Sequence, residues 1–481
     1  MLELVSLASA LAIGILLAGA ANPVRGAHPR WAALLFQVSL GAGAGIAITS
    51  IVFLFLTVSG IATPAVIFGA DAILLAVSAA LFARARRMQA GRPAPNATTF
   101  TFHWTWVLAI AFGLALLIVF SRLVSMVEAN PWGQWDALAI WNLRAKFLAG
   151  PVGSWRVPVG GLLADRMHPD YPLLLSSFIA RVWKWSGQMS TLAPIATSFL
   201  FFGAVIALLT STVALLRGTA SALLAGLVIL ATTSLLLLAP AQYSDIPLSF
   251  YWLAAVALIL ISESTSRSAL LWAGLSAGFG AWTKNEGVVF LGWLLLVFCV
   301  LVWWKQGRKE ALRGAGLLVA GALPGILLTL WLKFVIAPPA DTLVQQTTSA
   351  LVAKLLNAGR YAQIAKSFAD ETIHLGTGMT HPLILLAVLA FVLRWRVDER
   401  RRLPIAVSAI ALGLMFLSDI AVYVITPSDL AWHLGTSFGR LILQLWPGVL
   451  LLCFAVMGSV ANPPASVPPP ALSKKKRKRV G

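Results

Sequence analysis

The sequence predicts an all-α polytopic membrane protein with about 13 transmembrane helices, and three observations lead to this fold class. The 481 residues are 59% hydrophobic and only 11% charged, which is far from the composition of a soluble domain. About a dozen apolar stretches are long enough to cross a bilayer, a length of about 20 residues. The polar residues gather between these stretches, mostly at connections that a charge count assigns to one side of the membrane.

The predicted spans follow from windows of about 20 apolar residues, and the segment 268–282 is short. The thirteen spans are 3–21, 33–58, 62–83, 104–126, 192–215, 219–240, 246–262, 268–282, 288–304, 315–337, 381–395, 403–426 and 439–460.

Basic residues in the connections set the predicted orientation, because Lys and Arg concentrate on the cytoplasmic side. The basic connections are those with Arg25 and Arg30, Arg84 to Arg92, Arg217, Arg267, 305–313, 394–402 and the C-terminal tail. Thirteen spans with a cytoplasmic C-terminus put the N-terminus outside. Two long segments, 127–190 and 338–380, are then also outside.

Four regions are expected along the chain. They are a three-helix membrane unit over 1–83, a polar cytoplasmic linker over 84–103, a membrane core over 104–460 and a basic cytoplasmic tail over 461–481. The net charge of +19 would indicate nucleic acid on a soluble surface, but here much of it lies in loops that set topology. The run 474–479 is interpreted as an anchor on anionic lipid, and no nucleic acid partner is expected.

The two outer segments contain helices that are not counted as spans. The stretch 171–186 is apolar but short, and it carries Arg181 and Lys184. It is interpreted as a helix that lies in the interface or dips partway into the membrane, a position that Trp183 and Trp185 favour. The segment 338–380 has helical apolar spacing and is expected to form a mobile outer flap.

Charged and polar residues near hydrocarbon are expensive and are therefore the candidate functional residues. Nearly all of them map to the predicted outer face, which predicts a single binding or catalytic chamber there. The candidates are Asp136, His168, Asp170, Tyr171, Asp245, Lys284, Glu286, Asp429, His433 and Arg440.

Asp136 is the candidate general base. On a helix it would share an apolar stripe with Ile140, Leu143 and Phe147, so that a partly desolvated carboxylate lies at the start of a surface helix. Such a group could accept a proton from a hydroxyl or an amine. The alternative is that Asp136 is simply the N-cap of this helix, and one residue could do both.

The other candidates each have a structural alternative. His168 and Asp170 could ligate a metal or orient a phosphate, but the prolines beside them also suit a turn. Lys284 could bind a phosphate or only pair with Glu286. Arg440, at the start of the last span, can give two-pronged hydrogen bonds to a phosphate.

Several common enzyme classes are unlikely from the sequence because their motifs are missing. The chain has no Walker-type glycine-rich loop, no Gly-x-Ser-x-Gly elbow and no His-Glu-x-x-His pair. It also has no soluble globular domain of the kind that a nucleotide-sugar enzyme would carry.

The order of the polar motifs over residues 104–460 resembles the GT-C superfamily of integral-membrane glycosyltransferases. The resemblance is to the protein O-mannosyltransferase and aminoarabinose-transferase-like branch. The motifs that carry it are Asp136 in an early outer loop, His168-Pro169-Asp170-Tyr171-Pro172, Tyr243-Ser244-Asp245, Thr283-Lys284 at a helix end, and Arg440 followed by Pro447.

The resemblance implies an inverting transfer of a sugar from a polyprenyl-phosphate donor to a glycan, lipid or protein acceptor. It implies the bacterial inner membrane, with the site facing the periplasm. Asp136 would activate the acceptor, and Lys284 and Arg440 would hold the carrier phosphate. The other candidates would bind the two substrates. They are His168, Asp170, Tyr171, Asp245, Glu286 and His433.

This chain departs from the resemblance in two ways. Many members have two adjacent acids at the first motif, whereas here Asp136 is followed by Ala137, which leaves dependence on a divalent metal open. The three N-terminal spans also have no named counterpart.

Two other functions use the same kind of chamber. A transporter or flippase of a lipid-linked saccharide would place its charges near the bilayer midplane and often shows inverted repeats, and neither feature is visible here. A polysaccharide polymerase or ligase would use the same type of donor, and the sequence does not separate it from a transferase.

Overall fold

The computed structural model of the chain describes residues 1–24, 29–89, 104–160, 167–261, 267–338 and 346–460. Within these ranges the chain is helical and contains no strand, and one isolated bridge pairs Trp395 with Met457. The all-α fold class is therefore confirmed.

Nineteen α-helices follow one another along the described chain. The first ten are α1 (Leu2–Ala21), α2 (Arg30–Val58), α3 (Pro64–Gln89), α4 (Trp104–Ala129), α5 (Asn142–Ala149), α6 (Leu174–Ser186), α7 (Leu192–Arg217), α8 (Thr219–Leu230), α9 (Thr233–Leu238) and α10 (Asp245–Ile261). The others are α11 (Arg267–Thr283), α12 (Asn285–Gln306), α13 (Arg308–Trp331), α14 (Thr348–Leu356), α15 (Ala358–Ile373), α16 (Pro382–Leu393), α17 (Arg402–Ile425), α18 (Leu430–His433) and α19 (Gly439–Val456).

Every predicted span coincides with a helix, and 219–240 is divided between α8 and α9. In the described part of the chain, nine helices are long and apolar enough to cross a membrane. Three shorter apolar helices accompany them: Thr219–Leu230, Asp245–Ile261 and Pro382–Leu393. The protein is therefore a multi-pass membrane protein.

Small residues let two pairs of helices approach closely. A Cβ at Gly14 of α1 would collide with the carbonyl oxygen of Gly41 in α2. A Cβ at Gly274 of α11 would likewise collide with the Leu318 carbonyl of α13. Close backbone contact of this kind drives helix association in lipid, where burial of apolar side chains gains little.

The three N-terminal helices pack against the rest of the bundle. Helix α2 contacts α6 and α7, and the Tyr251 hydroxyl of α10 donates a hydrogen bond to the Gly43 carbonyl at 2.9 Å. Helix α3 continues to Gln89, so the predicted linker at 84–103 begins later than expected. Residues 90–103 and the tail from 461 lie outside the described residues.

The predicted cytoplasmic connections meet at one end of the bundle. The Arg217 guanidinium donates to the Arg396 carbonyl at 2.7 Å, and the Ser268 hydroxyl donates to the Ala21 carbonyl at 3.1 Å. At the other end, the Gln134 amide donates to the Ala241 carbonyl at 3.1 Å. We call that second end, which holds Asp136, Asp245, Lys284 and Arg440, the site end.

The stretch 171–186 contains helix α6, which packs against other helices, and its predicted depth in the membrane stays a prediction. Trp183 is only 1% exposed and donates its indole N–H to the Ser190 carbonyl at 2.8 Å, so it is not an interfacial anchor. Helices α1, α2, α3 and α5 pack around α6. The charges of Arg181 and Lys184 favoured a position in contact with water, because the residues that they bind inside the protein are remote in sequence.

Arg181 is the best satisfied of the buried cations. Its guanidinium donates to the Asp71 carboxylate of α3 and to the hydroxyls of Ser6 and Ser9 of α1. We call these four residues the Arg181 cluster. The cluster joins the N-terminal helices to α6.

Basic side chains bind the described part of the predicted outer flap to the end of α17. The Lys354 ammonium donates to the Thr426 carbonyl at 2.9 Å, and the Arg360 guanidinium donates to the carbonyls of Val424 (2.8 Å) and Tyr423 (2.9 Å). Carbonyls at a helix C-terminus lack intrahelical partners and attract cations. The free flap is thus corrected to two short helices, α14 and α15, that are fixed to the end of α17.

Candidate functional site

Five charged side chains from four segments form a continuous chain of ion pairs at the site end. We call it the ion chain, and its members in order are Asp136, Arg440, Asp245, Lys284 and Glu286. All five are candidates from the sequence, although up to 304 positions separate the partners Asp136 and Arg440.

Asp245 is the centre of the ion chain and is only 1% exposed. Its Oδ1 accepts hydrogen bonds from Lys284 Nζ at 3.1 Å and from Gln444 Nε2 at 2.5 Å. Its Oδ2 lies 3.6 Å from Arg440 Nη1, which also donates to the Asp136 carboxylate. Lys284 Nζ in turn lies 2.8 Å from Glu286 Oε1.

Local backbone structure explains how these side chains reach one another. Lys284 is a single extended residue, with φ −157° and ψ 157°, between the end of α11 and the start of α12. The two helices reverse there so tightly that a Cβ at Gly287 would collide with the Gly280 carbonyl. Asp245 is the first residue of α10, so both groups lie at helix ends on the same side of the bundle.

Asp136 is not a helix cap. It makes no side-chain hydrogen bond to the amides that follow it, and its carboxylate binds Arg440 instead. The N-cap alternative is therefore not supported. The predicted stripe is also changed, because residues 137–141 form a π-turn that inserts an extra position before α5.

Three π-turns occur in the described residues, and all of them border the site end. They are Ala137–Trp141 after Asp136, Leu332–Ile336 around Lys333, and Leu434–Phe438 before Arg440. Single π-turns within α-helices often occur at functional sites. Here each one adjusts the direction of a charged side chain.

Asp170 joins the site from the same outer segment as Asp136. Its Oδ2 accepts a hydrogen bond from Asn285 Nδ2 at 2.6 Å and lies 3.5 Å from Lys333 Nζ. Asn285 lies between Lys284 and Glu286 in sequence, so Asp170 is next to the ion chain.

The His168–Tyr171 turn presents a stack of rings beside Asp170. The His168 ring stacks on Tyr171 with centroids 4.8 Å apart, and Tyr171 stacks on Trp141 at 5.7 Å. His168 adopts a positive φ of 48°, which is uncommon outside glycine. The turn predicted here from the prolines is therefore present, and the same residues also line the site.

Asp429 and His433 are the two candidates that the structure separates from the others, and His433 bonds elsewhere. Its Nδ1 is 3.0 Å from Thr426 Oγ1 and its ring packs on Tyr423, and none of its described contacts reaches the ion chain. On an unbroken α-helix, His433 and Arg440 would share a face. The π-turn between them rotates the two apart. Asp429, in contrast, caps α18 through a 2.8 Å hydrogen bond from the Trp432 amide.

The ion chain has unused hydrogen-bonding capacity. Buried polar atoms without a hydrogen-bond partner include Asp245 Oδ2, Glu286 Oε2, Arg440 Nε, Asn285 Oδ1 and Gln444 Oε1. Unsatisfied buried polar atoms are rare, and each one calls for a ligand, an ion or a water. Their concentration within one cluster indicates a binding site.

Electrostatics keep Lys284 charged and the nearby phenols neutral. Burial by itself would lower the pKa of Lys284, but Asp245 and Glu286 together raise it above its ordinary value. Burial raises the pKa of Tyr171 and of Tyr243. The Tyr243 ring faces the Arg440 guanidinium at 5.0 Å and so adds a cation–π contact.

Four residues of the site were not among the sequence candidates: Gln444, Asn285, Lys333 and Tyr243. Gln444 follows Arg440 by four positions and thus shares its helix face, and Lys333 is a charge inside a predicted span. Both signals were present in the sequence. Asp419, inside α17, is also buried, and its carboxyl interacts with Glu286 and Lys284.

Among the described residues there is no group of three or more His, Cys, Asp or Glu side chains arranged to hold a metal ion. No family model, curated protein or solved structure matches the chain. The fold and the site therefore define the class, a multi-pass membrane protein with a charged site at the ends of its helices.

Proposed function

We propose that this protein is a membrane glycosyltransferase that moves a sugar from a polyprenyl-phosphate donor to a glycan, lipid or protein acceptor, with inversion. In this proposal the chain crosses the bacterial inner membrane thirteen times and the site end faces the periplasm. The observation that supports it is the ion chain, which places a candidate base and two cations side by side at helix ends.

The ion pair between Asp136 and Arg440 suits a base that is released when the donor binds. Before the donor binds, the Asp136 carboxylate is engaged by Arg440. A donor phosphate would compete for Arg440, whose unpaired Nε is already available. Asp136 would then be free to accept a proton when the donor is in place.

The transfer itself needs one bond to form and one to break. The acceptor oxygen attacks the anomeric carbon while its proton passes to Asp136. The bond between that carbon and the phosphate oxygen breaks, and its electron pair remains on the lipid phosphate. Attack on the face opposite the leaving phosphate gives inversion.

The cations act mainly on the leaving group. A sugar phosphodiester carries one negative charge, and the lipid phosphate that leaves gains a second. Arg440 and Lys284 would therefore stabilise the transition state more than the bound donor, which is the requirement for a rate increase. The exposed ring of His168 would pack against a sugar, and the Asp170 carboxylate beside it would accept hydrogen bonds from the sugar hydroxyls.

A direct experiment tests this proposal. The full chain is reconstituted in liposomes with a polyprenyl-phosphate sugar fraction purified from bacterial membranes, and sugar transfer to membrane acceptors is followed by mass spectrometry. We expect transfer by the wild type and about 1000-fold less by Asp136→Asn. Treatment with a chelator and then with Mg²⁺ or Mn²⁺ decides whether a divalent metal takes part.

A matched control is available at the same end of the molecule. Asp429→Asn removes a carboxylate that caps α18 and contacts no member of the ion chain, so transfer should persist. Equal activity of Asp136→Asn and the wild type would reject Asp136 as the base. Movement of intact lipid-linked sugar across the bilayer without transfer would favour a flippase.

A further inference from the structure

Arg144 of α5 is a buried cation that uses only part of its hydrogen-bonding capacity. The residue is 1% exposed. Its Nη1 donates to the carbonyls of His168 at 3.3 Å and Tyr171 at 2.7 Å. Its Nε and Nη2 are buried and have no hydrogen-bond partner. Three N–H groups of one guanidinium are thus left without an acceptor.

No described carboxylate neutralises this charge by a direct ion pair. Asp170 attracts Arg144 from a distance, but its Oδ2 is already engaged by Asn285 and Lys333. Burial lowers the pKa of Arg144 to about 10, which reflects incomplete compensation of the charge. A buried cation without a partner is strongly destabilising.

Arg144 is one of the residues that line a small cavity. Its volume is about 10 Å³, close to the room that a single water-sized particle needs. The side chains that surround Arg144 in this cavity are apolar and include Leu148, Trp155, Pro158 and Leu332. Among the described residues that line the cavity, no side chain is a hydrogen-bond acceptor, whereas Arg144 supplies donors. An anion, which only accepts hydrogen bonds, matches this lining.

We infer that this cavity binds a small monovalent anion of the chloride class, held by Nε and Nη2 of Arg144. The anion neutralises the guanidinium, while Nη1 keeps the His168–Tyr171 turn in place. The site is separate from the ion chain and does not depend on the proposed transfer reaction.

The test uses the full chain in detergent micelles and sodium chloride, sodium bromide or sodium gluconate at equal ionic strength. Gluconate is too large for the cavity. Because a ligand that binds the folded state stabilises it, both halides should raise the midpoint of thermal unfolding by about 2–4 °C over gluconate. The Arg144→Gln variant should show no difference among the three salts.

Arg156→Gln is the matched control, since Arg156 lies near the cavity, in Ser154–Val159, but is exposed. It should keep the full halide effect. If Arg144→Gln does not fold, the cavity-filling variant Val159→Leu takes its place, because Val159 lines the cavity and its enlargement leaves Arg144 intact. That variant should also lose the halide effect.

Bromide also gives a structural readout, because its anomalous scattering locates it directly. A peak within 3.5 Å of the Arg144 guanidinium nitrogens would support the inference. An ordered water at this position, or a halide effect that survives in Val159→Leu, would overturn it.

Discussion

Arg181 and Arg440 are both arginines paired with a carboxylate inside the helix bundle, yet they use their hydrogen-bonding groups very differently. All five N–H groups of Arg181 have an acceptor, supplied by Asp71, Ser6 and Ser9. Arg440 donates to Asp136 through Nη1, whereas its buried Nε has no partner. The first pair is complete, and the second retains capacity for another molecule.

The comparison shows that a structural ion pair differs from a candidate functional one in how many of its polar atoms have hydrogen-bond partners, and not in burial alone. The Arg181 side chain is 1% exposed and that of Arg440 is 21% exposed, but the Nε atom of Arg440 is buried, where an unpaired polar group is costly. The Arg181 cluster avoids that cost within the protein and joins α1, α3 and α6. In the ion chain, several buried polar atoms have no hydrogen-bond partner. This arrangement is useful only if a ligand supplies the missing partners.

The largest effect is expected at Asp136. Asp136→Asn removes the candidate base but keeps the size and polarity of the side chain, so transfer should fall about 1000-fold. The midpoint of thermal unfolding should change by less than about 2 °C, because Asp136 is partly exposed and the pair is incomplete. If Asp136→Asn loses its fold together with its activity, the Asp136–Arg440 pair serves the fold, as the Arg181 cluster does.

The opposite pattern is expected at Asp71. Asp71→Asn leaves the fully buried Arg181 without its counter-charge, which should lower the free energy of unfolding by about 3–5 kcal/mol. The measurement is the midpoint of thermal unfolding and the yield of folded protein from membranes. Transfer per folded molecule should remain near that of the wild type.

A double variant is the control for that prediction. Asp71→Leu combined with Arg181→Met replaces the pair by apolar groups of similar volume and should recover most of the stability lost in Asp71→Asn. A stable Asp71→Asn protein would show that Arg181 has access to water or to another acceptor, and the contrast between the two arginines would then fail.

The helices and the members of the ion chain could be predicted from the sequence, because a span needs a minimum apolar length and charged side chains are costly to place in hydrocarbon. Apolar length fixes the spans, and the alternation of loops fixes which ends meet. Asp136, Asp245, Lys284 and Arg440 were therefore expected on one side of the bundle. Their pairwise contacts could not be predicted, since these depend on how α10, α12 and α19 pack.

The errors also have physical causes. His433 and Arg440 lie in one predicted connection, 426–440, but nearness in sequence does not fix the direction of two side chains on either side of the π-turn at 434–438. The packing of α6 among other helices was not predicted, because the partners of Arg181 are more than 100 positions away. Gln444 is not among the predicted site residues because it carries no charge, although a glutamine inside an apolar span also needs a hydrogen-bond partner.

A smaller effect is expected when the charge at position 440 is kept but its geometry is changed. Arg440→Lys loses the planar, two-pronged donor but remains cationic. Apparent donor affinity should fall about 10-fold, equal to about 1.4 kcal/mol, the size of one charge-assisted hydrogen bond. Titration of the donor in the transfer assay measures this, and an unchanged apparent affinity would count against the phosphate role.

The smallest effect is expected at Gln444, which contacts Asp245 and no substrate in the proposed reaction. Gln444→Met keeps the length of the side chain but removes the 2.5 Å hydrogen bond that fixes the Asp245 carboxylate between Arg440 and Lys284. We expect kcat to fall about 5-fold, or about 1 kcal/mol, with little change in KM, because the cations are less well held as the phosphate leaves. A change confined to KM would instead mean that Gln444 binds substrate. A large loss of thermal stability would place Gln444 with Arg181, among the groups whose hydrogen bonds serve the fold.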